Sequence, residues 1–114
     1  MSTAARERPL HVAGFDITVL ASGTDTVGYE VFYQAGPAGK GPGPHAHPWD
    51  ESFFATEGTV ICGVEDTEIV AGVGDFVHIP GGKTHQYRFG SPGGDMLSIT
   101  SRGNASKMYE DFDR

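Results

Sequence analysis

The sequence holds a single cysteine, Cys62, so no internal disulfide can staple it. That fits a reducing compartment, and the expected location is cytoplasmic. Cations are scarce too: eight Lys and Arg stand against fifteen carboxylates, for a formal net charge of −7, and no basic cluster occurs. A nucleic-acid binder carries a basic face, so that class is set aside, as is docking to an anionic membrane. No apolar run reaches transmembrane length, and the charged stretch at 1–9 does not read as a signal peptide.

What the chain has in abundance is glycine. Its 17 glycines and 7 prolines in 114 residues make a turn-rich chain of one domain's length. Short β-branched and aromatic runs recur between the turns, at 16–20, 28–34, 51–55, 59–64, 67–70, 76–79, 84–89 and 96–100. Strands at roughly 8–12-residue spacing predict an all-β sandwich or barrel. Turns are expected at 22–26, at Glu57-Gly58, at Glu65-Asp66, at 72–75 and at 91–94. The Gly- and Pro-rich stretch 35–44 reads as a loop leading into the next strand. Only the tail, 104–114, reads as a helix, with Asn104 or Ser106 as cap and Met108 and Phe112 spaced i, i+4 for docking. The organisation is an N-terminal arm at 1–9, a barrel at 10–103 and a helical tail at 104–114.

Four residues carry the chemistry. His45 and His47 are one residue apart, so an extended strand would aim both at one point. Glu51 keeps their parity and adds a carboxylate, whereas Asp50 is out of phase. His85 can close the set from a neighbouring strand. Pro44 and Pro48 flank the histidines and predict an irregular start to that strand. Three nitrogens and one oxygen with open positions suit a divalent transition metal, with Fe, Mn, Ni, Cu and Zn all compatible.

These residues fall on a known pattern. Gly39, His45, His47, Glu51 and Gly58 fill the first motif of the cupins, and Gly74, Pro80, Gly82 and His85 fill the second; Phe89 stands where that motif ends in Asn. The chain therefore resembles a small single-domain bacterial cupin of the quercetin-dioxygenase-like kind. The resemblance implies a double-stranded β-helix, or jelly-roll barrel, with His45, His47, Glu51 and His85 as metal ligands. It also implies a homodimer, with the N-terminal strand pairing across subunits.

Alternation from the ligands predicts the pocket. Tyr87 and Phe89 follow His85 inward, and Phe53 and Ala55 follow Glu51. One alternate set of 96–100, Met96 with Ser98 or Leu97 with Ile99, joins them. For any one of these residues, filling the barrel is the simpler role. Glu51 is the candidate proton acceptor and Tyr87 the polar handle. Trp49 is expected at the rim, His78 on the outside and Cys62 in the core. The expected function is a metal-dependent small-molecule oxygenase. Its alternatives are an isomerase or lyase on an enolisable carbonyl compound, or a non-catalytic binder of a small ligand.

Overall fold

The computed structural model describes residues 9–101 and 105–112. Strands β1 Leu10–Val12, β2 Phe15–Ala21, β3 Tyr29–Gly36, β4 Glu51–Val64, β5 Thr67–Gly72, β6 Phe76–Ile79 and β7 His85–Ser101 precede one helix, α1 Ala105–Phe112. The strands pair in the order β1-β2-β3-β7-β4-β5, with β6 beside the first part of β4. This is the all-β jelly-roll with a C-terminal helix that the sequence predicts. The arm at 1–8 and the cap candidate Asn104 lie outside the described residues, as does the side chain of Phe112.

Two expected turns are strand instead. Glu57-Gly58 lies within β4, and 91–94 lies within β7. The two strands run together through this region, and their register slips between Ala55 and Glu57 and again between Gly58 and Val60. Gly58, at φ +65°, sits so close to β7 that a Cβ there would be 2.0 Å from the Gly93 carbonyl oxygen. Only glycine fits that corner. The slip has a consequence for the core. Side chains alternate with period two, so a one-residue shift exchanges the faces. Glu51, Phe53 and Ala55 point inward before the corner of β4, and Val60 and Cys62 after it. On β7 the inward set changes from His85, Tyr87 and Phe89 to Met96, Ser98 and Thr100. Both halves of each long strand thereby face one core.

That core is aromatic. Phe15 meets Tyr87 and Phe89 edge-on, with centroids 5.9 and 5.7 Å apart, and Phe53 meets Tyr87 at 5.0 Å. Each such pair adds on the order of 1 kcal/mol beyond its buried area. The loop at 37–44 lies against the outer edge of β7's first half. The Gly39 amide donates to the Phe89 carbonyl at 2.7 Å, and the Phe89 amide returns to Lys40 at 3.0 Å. It leads the chain along β7 to His45.

The expected Met108 does pack partly against the core, but the deepest contacts come from residues that the sequence reading did not single out. Ala105 and Tyr109, four residues apart, are its buried side chains, and the Tyr109 ring meets Phe32 edge-on at 5.1 Å. The helix start is held by Glu30 of β3, itself 1% exposed. Glu30 accepts the Ser106 amide at 3.1 Å and its hydroxyl at 2.6 Å, and the Gly23 amide at 2.6 Å. Ser106 is thus a donor to the cap rather than the cap itself.

Candidate metal centre

His45 and His85 exchange backbone hydrogen bonds of 2.9 and 2.8 Å, forming an isolated antiparallel bridge. Their rings lie 4.3 Å apart as a result. The irregular start expected of the His-x-His strand is seen here, where the strand is reduced to that single bridge. After it the chain bends at Pro48 and Trp49, where the Gly82 amide holds the His47 carbonyl at 2.8 Å, and β4 starts only at Glu51. Proline cannot continue a ladder, which accounts for the break. The rings converge all the same: His47 lies 4.8 Å from His85 and 5.6 Å from His45, centroid to centroid. The ligating nitrogens of the three lie within 4.8 Å of one another.

The outward-facing nitrogens decide what the inward ones can do. His45 Nδ1 lies 2.8 Å from the Gly43 carbonyl, His47 Nδ1 3.0 Å from that of Trp49, and His85 Nδ1 3.0 Å from that of Lys83. A carbonyl only accepts, so each Nδ1 carries the proton. Each Nε2 of a neutral ring is then a bare lone pair aimed into the site. This is how metal-binding imidazoles are held.

Glu51, 1% exposed, is the fourth group. Its Oε1 lies 3.2 Å from His47 Nε2 and 3.4 Å from His85 Nε2. An oxygen lone pair facing two nitrogen lone pairs is repulsive unless a proton or a metal ion lies between them. The Nε2 of His85 is buried without a hydrogen-bond partner. Two donors about 2.1 Å from one ion and about 90–110° apart sit about 3.0–3.4 Å from each other. The carboxylate spacings therefore fit a shared metal ion, and the three imidazole nitrogens, within 4.8 Å of one another, would draw in by a few tenths of an ångström around it.

Electrostatics couple the carboxylate to the rings. Burial works against the Glu51 carboxylate, but its contacts with His47 and His85 hold its pKa below the usual range. Burial likewise works against His85, yet the neighbouring Glu51 and the Lys83 carbonyl raise its pKa above the ordinary value. His45 is lowered, chiefly by burial. It is the least buried of the three rings, so the site opens on its side. Trp49 stacks on His47 at 4.4 Å with 12° between planes and packs partly against the core.

Behind the ligands lies a polar network that sequence reasoning did not anticipate. The Tyr109 hydroxyl donates to Glu51 Oε2 at 3.4 Å, and it also bears on Tyr87 and Gln34. Tyr87 donates to Gln34 Oε1, and Gln34 Nε2 donates to Ser98 Oγ at 2.9 Å. Burial, reinforced by the Glu51 charge, raises both phenol pKa values well above normal, so both hydroxyls stay protonated donors. One signal was legible: alternation in β3 puts Glu30, Phe32 and Gln34 on one face, and two of the three are polar. Nothing near Tyr109 in sequence points to Glu51.

The expected pocket residues Phe53, Ala55, Tyr87, Phe89 and Met96 are at most 1% exposed and line the interior together. Of the two alternate sets in 96–100, Met96 and Ser98 face inward. Asp50 points out and accepts the Gly81 amide at 2.8 Å. His78 is exposed beside Ser52, at 3.0 Å. Cys62 is fully buried, and burial pushes its thiol up to about 12.

Residues 31–99 match the cupin domain family. The chain is a cupin. No curated protein is significantly similar to it in sequence. Among solved structures, this cupin resembles an RmlC-like cupin from Shewanella frigidimarina NCIMB 400, with a TM-score of 0.80, 17% identity, and 94% of this chain and 93% of that one covered. Bacillus subtilis oxalate decarboxylase, a protein with Mn(II) centres, gives a TM-score of 0.80 at 15% identity; 90% of this chain covers 29% of that one. The polyketide cyclase RemF from Streptomyces resistomycificus gives 0.73 at 16% identity, with 89% of this chain and 77% of that one covered. At these identities the likeness is one of fold.

Proposed function

We propose that this cupin is a metal-dependent small-molecule oxygenase, dioxygenase-like in type, with His45, His47, His85 and Glu51 as ligands. The observation that carries it is the convergence of three imidazole lone pairs, each fixed by a backbone carbonyl, beside a buried carboxylate. A bound Fe, Mn, Ni, Cu or Zn ion would supply Lewis acidity, and a redox-active one electron transfer with O₂. The chain does the rest. His45 borders the entrance. Phe53, Ala55, Phe89 and Met96 bound an apolar interior that excludes water. Glu51 accepts a proton, and Tyr87 offers a hydroxyl now held by Gln34.

One observation favours a reading without oxygen. The Tyr109 hydroxyl on Glu51 Oε2 steadies a carboxylate that can take and return a proton, as an isomerase or lyase on an enolisable carbonyl compound requires. A polyketide cyclase and an oxalate decarboxylase share the fold, which suits this second reading.

We infer a homodimer and a cytoplasmic setting as part of this reading. Among the described residues β1 has one strand neighbour, β2, and the outward face carries Phe54 opposite Phe76, with Ile99 nearby. A monomer by light scattering would remove the dimer. No helix among the described residues is long and apolar enough to cross a membrane.

The test is elemental analysis of the purified protein beside His47→Ala, followed by oxygen uptake with chelating phenols and diketones. Near-stoichiometric metal that the variant lacks supports the centre, and oxygen consumption supports the oxygenase. Turnover without oxygen moves the assignment to the isomerase or lyase. Ligand-induced stabilisation without turnover leaves a binding cupin. No metal in either protein, even after reconstitution, overturns the proposal.

A further inference from the structure

Glu51 has two oxygens with different company. Oε1 faces His47 and His85, whereas Oε2 faces Tyr109. Tyr109 is 3% exposed and arrives from α1, 58 residues further along the chain. Two independent anchors fix where its hydroxyl lies. Its ring packs edge-on against Phe32, and the start of its helix is bound by the Glu30 carboxylate through Ser106. Phe32 and Glu30 are both inward-facing residues of β3, so one strand aims the tyrosine.

We propose that Tyr109 is a positioning residue for the Glu51 carboxylate, which makes the C-terminal helix a structural part of the metal centre. By donating to Oε2, Tyr109 stops the carboxylate rotating and keeps Oε1 turned toward the imidazoles. Glu51 is then presented through one oxygen. A carboxylate free to turn could present both, or swing away from His85. The inference rests on the metal reading for its purpose, but not for its geometry. The donor, the acceptor and the packing that aims them belong to the protein itself.

Tyr109→Phe removes the hydroxyl and keeps the ring against Phe32, so the fold is retained. Two measurements test it. In crystals of the metal-free variant, the Glu51 carboxylate is expected to turn from its wild-type orientation. An unchanged carboxylate overturns the proposal. In Co(II) titrations, wild type and variant are expected to differ in visible spectrum, with affinity about 10–100-fold weaker in the variant, the range for loss of a group that orients a ligand. Identical spectra and affinities also overturn it. If wild type takes up no Co(II), the metal reading fails by itself, and the carboxylate orientation still decides the role of Tyr109.

Discussion

The imidazole half and the carboxylate half of the centre are built in opposite ways. Each histidine is oriented by a carbonyl two residues away in its own segment: Gly43, Trp49 and Lys83. Glu51 is oriented by a hydroxyl from the far end of the chain. The first half depends on local backbone geometry. The second depends on a helix docking correctly onto a finished barrel. Damage to α1 should therefore reach the carboxylate and spare the histidines, while damage to the histidine segments should destroy the site outright.

The largest effect separates the two halves directly. His85→Ala removes the most buried of the three Nε2 donors and opens the backbone partner of His45 to a smaller side chain. Metal affinity is expected to fall by at least about 100-fold, beyond the effect of losing an orienting group, with the barrel intact by circular dichroism. Unchanged metal content in this variant would place the ion elsewhere.

Acid should attack the same half next. Metal binding needs neutral imidazoles, so protons compete with the ion as pH falls. His85 has a raised pKa, so it is protonated before a free imidazole of about 6.5 would be; His45, lowered, follows later. A bound ion stabilises the fold only while it is held. The melting temperature of the loaded protein should therefore drop between about pH 7.5 and pH 4.5, in step with metal release. Occupancy that is constant across that range would count against histidine ligation.

The carboxylate half breaks more gently, through its helix. Glu30→Ala strands three donors on a buried site: two from Ser106 and one from Gly23. Hydrogen bonds to a buried charge are worth roughly 1.5–3 kcal/mol each and are not additive, so a loss of about 3 kcal/mol is expected. Chemical denaturation measures it. Hydrogen exchange should show amides of α1 opening before those of β7. Uniform protection across both would mean that the helix does not depend on Glu30.

This division also explains what could be read in advance. His45, His47 and Glu51 were legible from strand parity and His85 from the cupin motif, and a helix was legible in the tail at 104–114, of which Ala105–Phe112 is helical. Tyr109 was not. The i, i+4 reading of the tail selected Met108, which packs partly against the core, and Phe112, but passed over Ala105 and Tyr109, which the helix buries. A phenol's partner 58 residues away leaves no local trace. The corner at Gly58 failed for another reason. Glycine at positive φ suits a turn and a bulge equally, and only the paired slip on β7 distinguishes them. The irregular His-x-His strand was legible from Pro44 and Pro48, but the bridge to His85 that makes the rings converge was not.

The smallest effect is the control for the whole comparison. Asp50 and Glu51 are adjacent carboxylates with opposite surroundings. Asp50 is exposed, and its Oδ1 accepts the Gly81 amide at 2.8 Å. Asp50→Asn keeps an oxygen that can accept that bond and removes a charge that water already solvates. It should shift stability by less than about 1 kcal/mol and leave metal content unchanged. Glu51→Gln keeps the shape but places an NH₂ or a weak carbonyl oxygen before His47 and His85, where an anion is needed to complete the donor set. It should weaken metal binding by at least about 10-fold. If Asp50→Asn lowered metal content as much as Glu51→Gln, the ligand would be chosen by net charge near the mouth. Burial and strand position would then not distinguish these neighbours, and the two-halved construction of the centre would fall with them.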